Sequence, residues 1–226
     1  MGHKKEEISL IQQQTTQIMS EMVLAAETLA DIGPAISLFG SARIKPESEH
    51  YQKSEKIAQL LAKAGFTVIA GGGPGIMEAA NKGAFEAGGT SVGLHIKLRQ
   101  EAKANPFLSI ELPFKHFVSR KSTFFMHSLA YVVLPGGFGT LDELFEALTL
   151  MQTGKVPHGP VILVGTVFWS GLMTWIQEQL AGNALIDQID PNSFFIADEP
   201  EQIVAHFLDF YKDHPDILKR QPDRAV

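Results

Sequence analysis

Short apolar runs recur along this chain, and a helix-length pattern follows nearly every one. The runs are Ala35 to Gly40, Phe66 to Ala70, Ser91 to Ile96, Leu108 to Leu112, Ala130 to Leu134 and Val161 to Val164. Between and after them, helical spacing spans about Glu47 to Ala64, Gly75 to Ala87, Phe114 to Leu129, Thr140 to Thr153, Trp169 to Leu180 and Glu199 to Tyr211. Strands separated by helices cannot pair as hairpins. They join by right-handed crossovers, which make a parallel sheet covered on both faces. The pattern predicts an α/β chain with a Rossmann-like, doubly wound, mainly parallel sheet and helices on both faces. An extra N-terminal helix, residues 6–30, is expected from Ile8, Ile11, Ile18, Met22, Leu24, Ala25 and Leu29, and Asp31-Ile32-Gly33-Pro34 ends it.

With 226 residues and no linker or repeat, the chain is expected to form a single domain, 1–226, with a frayed tail at 215–226 that carries Lys219, Arg220, Asp223 and Arg224. Composition narrows what it does. Nineteen basic against 25 acidic residues leave a net charge of −6, which disfavours nucleic acid as a partner. The absence of cysteine excludes disulfides, thiolate nucleophiles and Cys-ligated zinc, and fits a reducing compartment. Met1 to Leu10 is too polar for a secretory signal, and no apolar run approaches the roughly 20 residues of a membrane span. No membrane association and a cytoplasmic location are expected.

Glycine is concentrated at two strand-to-helix junctions, where an open α/β sheet places its ligands. The first is Gly71-Gly72-Gly73-Pro74-Gly75-Ile76-Met77-Glu78. Its glycines let backbone pass close to a ligand, and the helix start offers free N–H groups to a phosphate or ribose. A first-strand G-x-G-x-x-G with a later acidic residue is absent, so NAD is disfavoured. The second junction, Pro135-Gly136-Gly137-Phe138-Gly139-Thr140-Leu141-Asp142-Glu143, adds a hydroxyl and carboxylates. Gly136, Gly137, Gly139 and Thr140 suit a monophosphate, and the missing lysine excludes a Walker loop. Thr140 and Glu143 also fit a capping box. Glu143 and Glu146 project away from the apolar stripe of Leu141, Leu144, Phe145 and Leu148, which frees a carboxylate for acid-base work.

In the preceding helix, Phe114, Phe117, Val118, Phe124 and Phe125 read as one apolar stripe with Lys121 in its middle and Arg120 at its margin. A cation there needs an anionic partner unless it snorkels to the edge. Arg120 and Lys121 together could meet a phosphate or carboxylate. The same Phe-rich helix could serve as a dimer face. Phe39-Gly40-Ser41-Ala42-Arg43 supplies a further small-residue turn with a hydroxyl. Histidines 95, 116, 127, 158, 206 and 214 show no ligand spacing, so no metal is expected.

Taken in order, Phe39-Gly40-Ser41, the stretch Gly71 to Asn81, Arg120-Lys121 and the run Pro135 to Glu143 resemble the LOG family. Its members are cytokinin riboside 5′-monophosphate phosphoribohydrolases, often labelled lysine decarboxylase-like, and the resemblance covers about Pro34 to Leu180. It implies a homodimeric or larger hydrolase with Arg120 and Glu143 as the catalytic pair and the glycine-threonine loop on the 5′-phosphate. Ser41, Gly72, Gly73, Gly75 and Lys121 are further candidates for phosphate or ribose, and Glu78, Asn81 and Met126 for base or ribose. Plant-type members read G-G-G-x-x-G-L-M-G where this chain has Gly71 to Glu78, and its N-terminal helix is an addition. That is similar to a longer bacterial branch, for which AMP or another nucleotide is as good a substrate candidate as a cytokinin riboside 5′-monophosphate.

The expected reaction needs no cofactor. Glu143 would stabilise positive charge at C1′ and activate water, and Arg120 would orient ribose or base. A pyridoxal-dependent lysine decarboxylase is disfavoured, because Lys121 on a Phe-rich helix is a poor Schiff-base lysine. The rival expectation is a nucleotide-binding or molybdenum-cofactor carrier on the same fold, which would have no use for Glu143.

Overall fold

The computed structural model describes residues 2–97, 103–187 and 194–217, with the backbone alone for 2–7. Among these residues one seven-stranded sheet forms from β1 (Ala35–Phe39), β2 (Thr67–Ala70), β3 (Ser91–Ile96), β4 (Ile110–Phe114), β5 (Ala130–Val133), β6 (Val161–Val164) and β7 (Phe194–Ala197). The helices are α1 (Gly2–Thr28), α2 (Glu49–Lys63), α3 (Ile76–Glu86), α4 (Phe117–His127), α5 (Phe138–Gln152), α6 (Thr166–Trp175), continued by a π-helical turn at Ile176–Ala181, and α7 (Pro200–Asp213). No described helix is long and apolar enough to cross a membrane.

Strand order is β4-β3-β2-β1-β5-β6-β7, and every pairing is parallel. Burial explains why. Each residue of β1, β2, β5 and β6 is buried, so neither face of the central sheet can meet water. Alternate residues serve opposite cores. In β5, Tyr131 and Val133 point to the core shared with α1, α4, α5 and α6, while Ala130 and Val132 point to the core shared with α2, α3 and α7. Strand order reverses between β1 and β5, and this opens the crevice in which such sheets hold ligands. The turns after β1, β2 and β5 line it.

The structure shifts some sequence boundaries. Phe114 ends β4 rather than opening a helix, because it pairs with Ile96 and its carbonyl accepts from Lys97 N at 2.8 Å. β7 was not expected, although Phe194-Phe195-Ile196-Ala197 is itself an apolar run; it is an edge strand, half-buried after Phe194. Of the tail expected to fray, Ile217 is buried against the α7 side of the core, while 218–226 lie outside the described residues.

α2 and α3 approach until an added Cβ on Gly83 would lie 2.0 Å from the Glu55 carbonyl oxygen. Backbone cannot yield cheaply there. Gly83→Ala is expected to lower stability by about 1–3 kcal/mol in denaturant melts. Gly171→Ala, on α6 where an added Cβ meets nothing within 4 Å, should instead raise it by up to about 1 kcal/mol through helix propensity. Equal effects at the two sites would refute this account of α2–α3 packing.

Candidate active site

The two glycine junctions meet across the turn after β1. Ser41 N donates to the Pro135 carbonyl at 3.1 Å, and Ile76 N donates to the Ser41 carbonyl at 3.1 Å. The Ser41 backbone thus ties the β5–α5 junction to the start of α3, and its hydroxyl accepts from Arg43 N at 3.1 Å. Gly75 must be glycine twice over. Its φ is +70°, and an added Cβ would lie 2.5 Å from the Ser41 carbonyl. Gly72 also has φ +70° and sits over Gly93 of β3.

At the second junction the helix starts earlier than the capping-box reading expects. Gly137 is the N-cap residue of α5 and Phe138 its first residue, so Thr140 lies inside the first turn and is buried. No side chain caps this helix end, which corrects the capping-box assignment. Thr140 instead packs against Gly136, where an added Cβ would lie 2.1 Å from Thr140 Oγ1. Gly137 and Gly139 differ, because an added Cβ on either would meet nothing within 4 Å. Packing explains Gly136, whereas Gly137 and Gly139 leave first-turn N–H groups open to an anion. Phe138 between them is 93% exposed.

The largest departure from expectation is on α4. Phe117 and Val118 are exposed, and the buried residues are Ser119, Arg120, Thr123, Phe124, Phe125 and His127. The cation on the buried face is therefore Arg120, not Lys121. The guanidinium is fixed from three sides. Nε donates to the Leu94 carbonyl of β3 at 2.6 Å, the group lies 5.2 Å from the Phe124 ring centroid, and Nη1 is 3.6 Å from Glu143 Oε1. Gly71 makes room for it, since an added Cβ there would lie 2.4 Å from Arg120 Nη2.

Arg120 and Glu143 are 8% and 15% exposed along their side chains. At 3.6 Å their contact is electrostatic rather than a hydrogen bond. Burial is the largest influence on Glu143 and pushes its carboxyl up to about 7. Arg120 opposes that rise, Asp142 adds to it, Lys121 opposes it, and Glu146 adds to it. Burial likewise pulls Arg120 below the usual arginine value, against the pull of Glu143. A carboxyl poised near neutrality beside a fixed cation suits general acid-base work.

Lys121 points elsewhere. Its Nζ bonds Asp142 Oδ2 at 2.8 Å and also contacts Glu146, so it joins α4 to α5 outside the Arg120–Glu143 contact. The ammonium is committed to these carboxylates rather than offered as a free cation to phosphate. Of the proposed base contacts, Glu78 accepts from Tyr51 Oη at 2.9 Å, and Met126 is half exposed on the outer side of α4. Asn81 is fully buried and acts on the glycine loop from below.

That last contact exposes a residue the sequence reading missed. Asn105 N donates to the Gly72 carbonyl at 2.9 Å, and its Nδ2 reaches the Gly73 carbonyl at 3.1 Å and Asn81 Oδ1 at 3.0 Å. Asn81 Nδ2 in turn bonds Ser91 Oγ at 2.9 Å and the Val92 carbonyl at 3.0 Å. Asn105 thus holds the loop carbonyls, and Asn81 ties Asn105 to β3. Locally Asn105 Oδ1 accepts only from Phe107 N, and nothing there signals Gly72, Gly73 and Asn81, which are more than 20 positions away.

A family described as "Possible lysine decarboxylase" matches residues 77–207, which include Arg120 and Glu143 and make up more than half of the chain. The chain is 31% identical over 142 residues to a cytokinin riboside 5′-monophosphate phosphoribohydrolase of Mycobacterium tuberculosis, covering 62% of this chain and 73% of that one. It is 30% identical over 125 residues to a "Probable cytokinin riboside 5'-monophosphate phosphoribohydrolase" of Oryza sativa subsp. japonica, covering 54% of this chain and only 59% of the rice protein. The molybdenum cofactor binding protein of the phototrophic bacterium Rippkaea orientalis shares the fold, with TM-score 0.58 and 22% identity over 81% of this chain and 98% of that one.

The raised carboxyl has a consequence for stability. A proton held more tightly in the folded chain adds stability that is full below the ordinary carboxyl value of 4.5 and is lost as pH rises through about 7. Glu143→Gln removes that dependence. The difference in Tm, variant minus wild type, should therefore grow more positive between about pH 5 and pH 8 in thermal melts. A flat difference would show that Glu143 titrates normally, and a falling one that its carboxyl is lowered; either would refute the rise.

Proposed function

The chain belongs to the LOG, or lysine decarboxylase-like, family, and from that premise we propose that it is a nucleoside 5′-monophosphate phosphoribohydrolase. It hydrolyses the N-glycosidic bond of AMP or a cytokinin riboside 5′-monophosphate to free base and ribose 5-phosphate. The observation that carries this reading is a buried carboxyl held near neutrality against Arg120, beside an uncapped glycine-rich helix start.

The 5′-phosphate lies at the α5 N-terminus, against the N–H groups around Gly137 and Gly139 and the hydroxyl of Thr140, with the Gly72, Gly73 and Gly75 loop and Ser41 on the other side of the crevice. Binding the remote phosphate aligns C1′ with the acidic group. As the bond between C1′ and the base nitrogen breaks, its electron pair leaves with the base and positive charge grows on ribose. Ionised Glu143 stabilises that charge and takes a proton from the water whose oxygen bonds C1′. The departing base nitrogen takes up a proton from solvent. Arg120 orients the ribose or the base, and Lys121 offsets the charge of Asp142 and Glu146. No cofactor enters, and the protein acts as a cytoplasmic homodimer.

The family description also raises decarboxylation through pyridoxal phosphate. Lys121 does not fit the required lysine, because a Schiff base forms from the neutral amine and two carboxylates hold its ammonium charged. The fold shared with the molybdenum cofactor binding protein favours a second reading, a non-catalytic carrier in which the same crevice only holds a ligand.

Chromatography of base and ribose 5-phosphate from AMP and other monophosphates decides between them. Wild type should release base, and Glu143→Gln and Arg120→Ala should each lose about 10²–10⁴-fold in kcat while remaining folded. Tight AMP binding without release would move the assignment to the carrier. Because the base must be ionised, kcat/KM should rise with pH through about 7, the value of Glu143. Lys121→Met removes a cation that lowers that value, so the rising limb should move to higher pH. A limb that stays in place or moves down would separate Lys121 from Glu143.

A further inference from the structure

The N-terminal helix does more than cover the sheet. Ala25 and Leu29, near its C-terminal end, enter the core, and one turn before Ala25 the helix packs on α4. There Glu21 meets the start of α4 with both carboxylate oxygens. Oε1 accepts from Lys115 N at 2.9 Å, both oxygens lie 3.4 Å from His116 Nδ1, and the Ser119 hydroxyl makes a short hydrogen bond to Oε2.

α4 needs this partner. Its N-cap is His116, which makes no side-chain capping bond, and its first turn contains no acidic residue. A helix start leaves N–H groups unpaired and carries partial positive charge, so a carboxylate there is stabilising. Glu21 supplies the charge from another helix, through Lys115 N just before the N-cap and through the His116 and Ser119 side chains. The side chain is 14% exposed, and burial, which would raise its carboxyl, is outweighed by hydrogen bonds from Ser119, Lys115 and His116 that hold it below the usual value. Ser119 is fully buried and directly precedes Arg120.

We propose that Glu21 is a positioning residue for Arg120: by binding Lys115 N and the His116 and Ser119 side chains from α1, it sets the turn from which the guanidinium reaches Glu143. This rests on the hydrolase reading for its kinetic test but not for its structural one. A residue that only pinned α1 to the fold would change stability without changing the Arg120–Glu143 contact.

The experiment compares Glu21→Ala, Glu21→Gln and Ser119→Ala with wild type in AMP hydrolysis, thermal melts and carbon-13 NMR titration of the Glu143 carboxyl. The groups facing Glu143 are Arg120, Lys121, Asp142 and Glu146, and those facing Glu21 are Lys115, His116 and Ser119. Loosening Arg120 removes an attraction that lowers Glu143, so the Glu143 midpoint should rise in Glu21→Ala. kcat should fall about 10- to 100-fold with KM changed less than about twofold, because the phosphate loop is untouched. Glu21→Gln, which keeps an acceptor, should recover part of the loss. Adding Glu21→Ala to Arg120→Ala should cost little more.

If wild type releases no base, the hydrolase reading fails while the titration still decides this proposal. An unchanged Glu143 midpoint in folded Glu21→Ala would overturn it. So would full additivity with Arg120→Ala. Should Glu21→Ala fail to fold, Glu21→Gln and Ser119→Ala carry the same comparison, and an unmoved midpoint in both overturns it.

Discussion

A parallel sheet buried on both faces is the constraint from which the rest of this molecule follows. β1, β2, β5 and β6 have no exposed residue, so each strand is apolar but for Ser37 and Thr67, and the connection that leaves each of them crosses the sheet as a helix. Polar chemistry is thereby confined to the rim of the sheet. At the C-terminal rim three turns meet where strand order reverses, and backbone bonds through Ser41 hold the two glycine-rich junctions together. The glycines do different jobs there. Gly71 and Gly136 clear space for Arg120 and Thr140, Gly75 supplies a positive φ, and Gly137 and Gly139 leave N–H groups uncovered.

The Arg120–Glu143 contact shows how such a rim becomes reactive. Either charge alone would be costly at this depth, and removing one partner of a buried pair leaves the other uncompensated. The pair is not a closed salt bridge, however. The guanidinium spends its Nε on a β3 carbonyl and stays 3.6 Å from the carboxylate, so burial outweighs attraction and the carboxyl rises to about 7. Neighbouring carboxylates on α5 push the same way, and Lys121 tempers them. The acidity of Glu143 thus depends on two helices keeping their relative placement. The contacts of Glu21 and of Lys121 secure that placement at two points along α4.

The matched segment contains the cation, the carboxylate and the α5 helix start, whereas α1 lies before it. The molybdenum cofactor binding protein shares the fold alone, and a fold does not fix a function, so function has to be argued from the acidic group and not from the sheet.

Much of this was legible in the sequence, because strand runs, helix periods and glycine junctions are local signals. The chain by itself determined the α/β class, the strands from β1 to β6 and the two glycine-rich junctions between strand and helix. Local pattern failed where the deciding partner is distant. Helical spacing placed Lys121 on the buried face of α4, but which face is buried depends on where β3 and Phe39 lie, and they select Arg120 and Phe124. Thr140 and Glu143 read as a capping box until the helix started at Phe138. Asn105 beneath the glycine loop, the pairing of β7 with β6 and the contact of Glu21 with the start of α4 join residues far apart in the chain. Their energies come from contacts that exist only after folding, and only the tertiary structure could decide them.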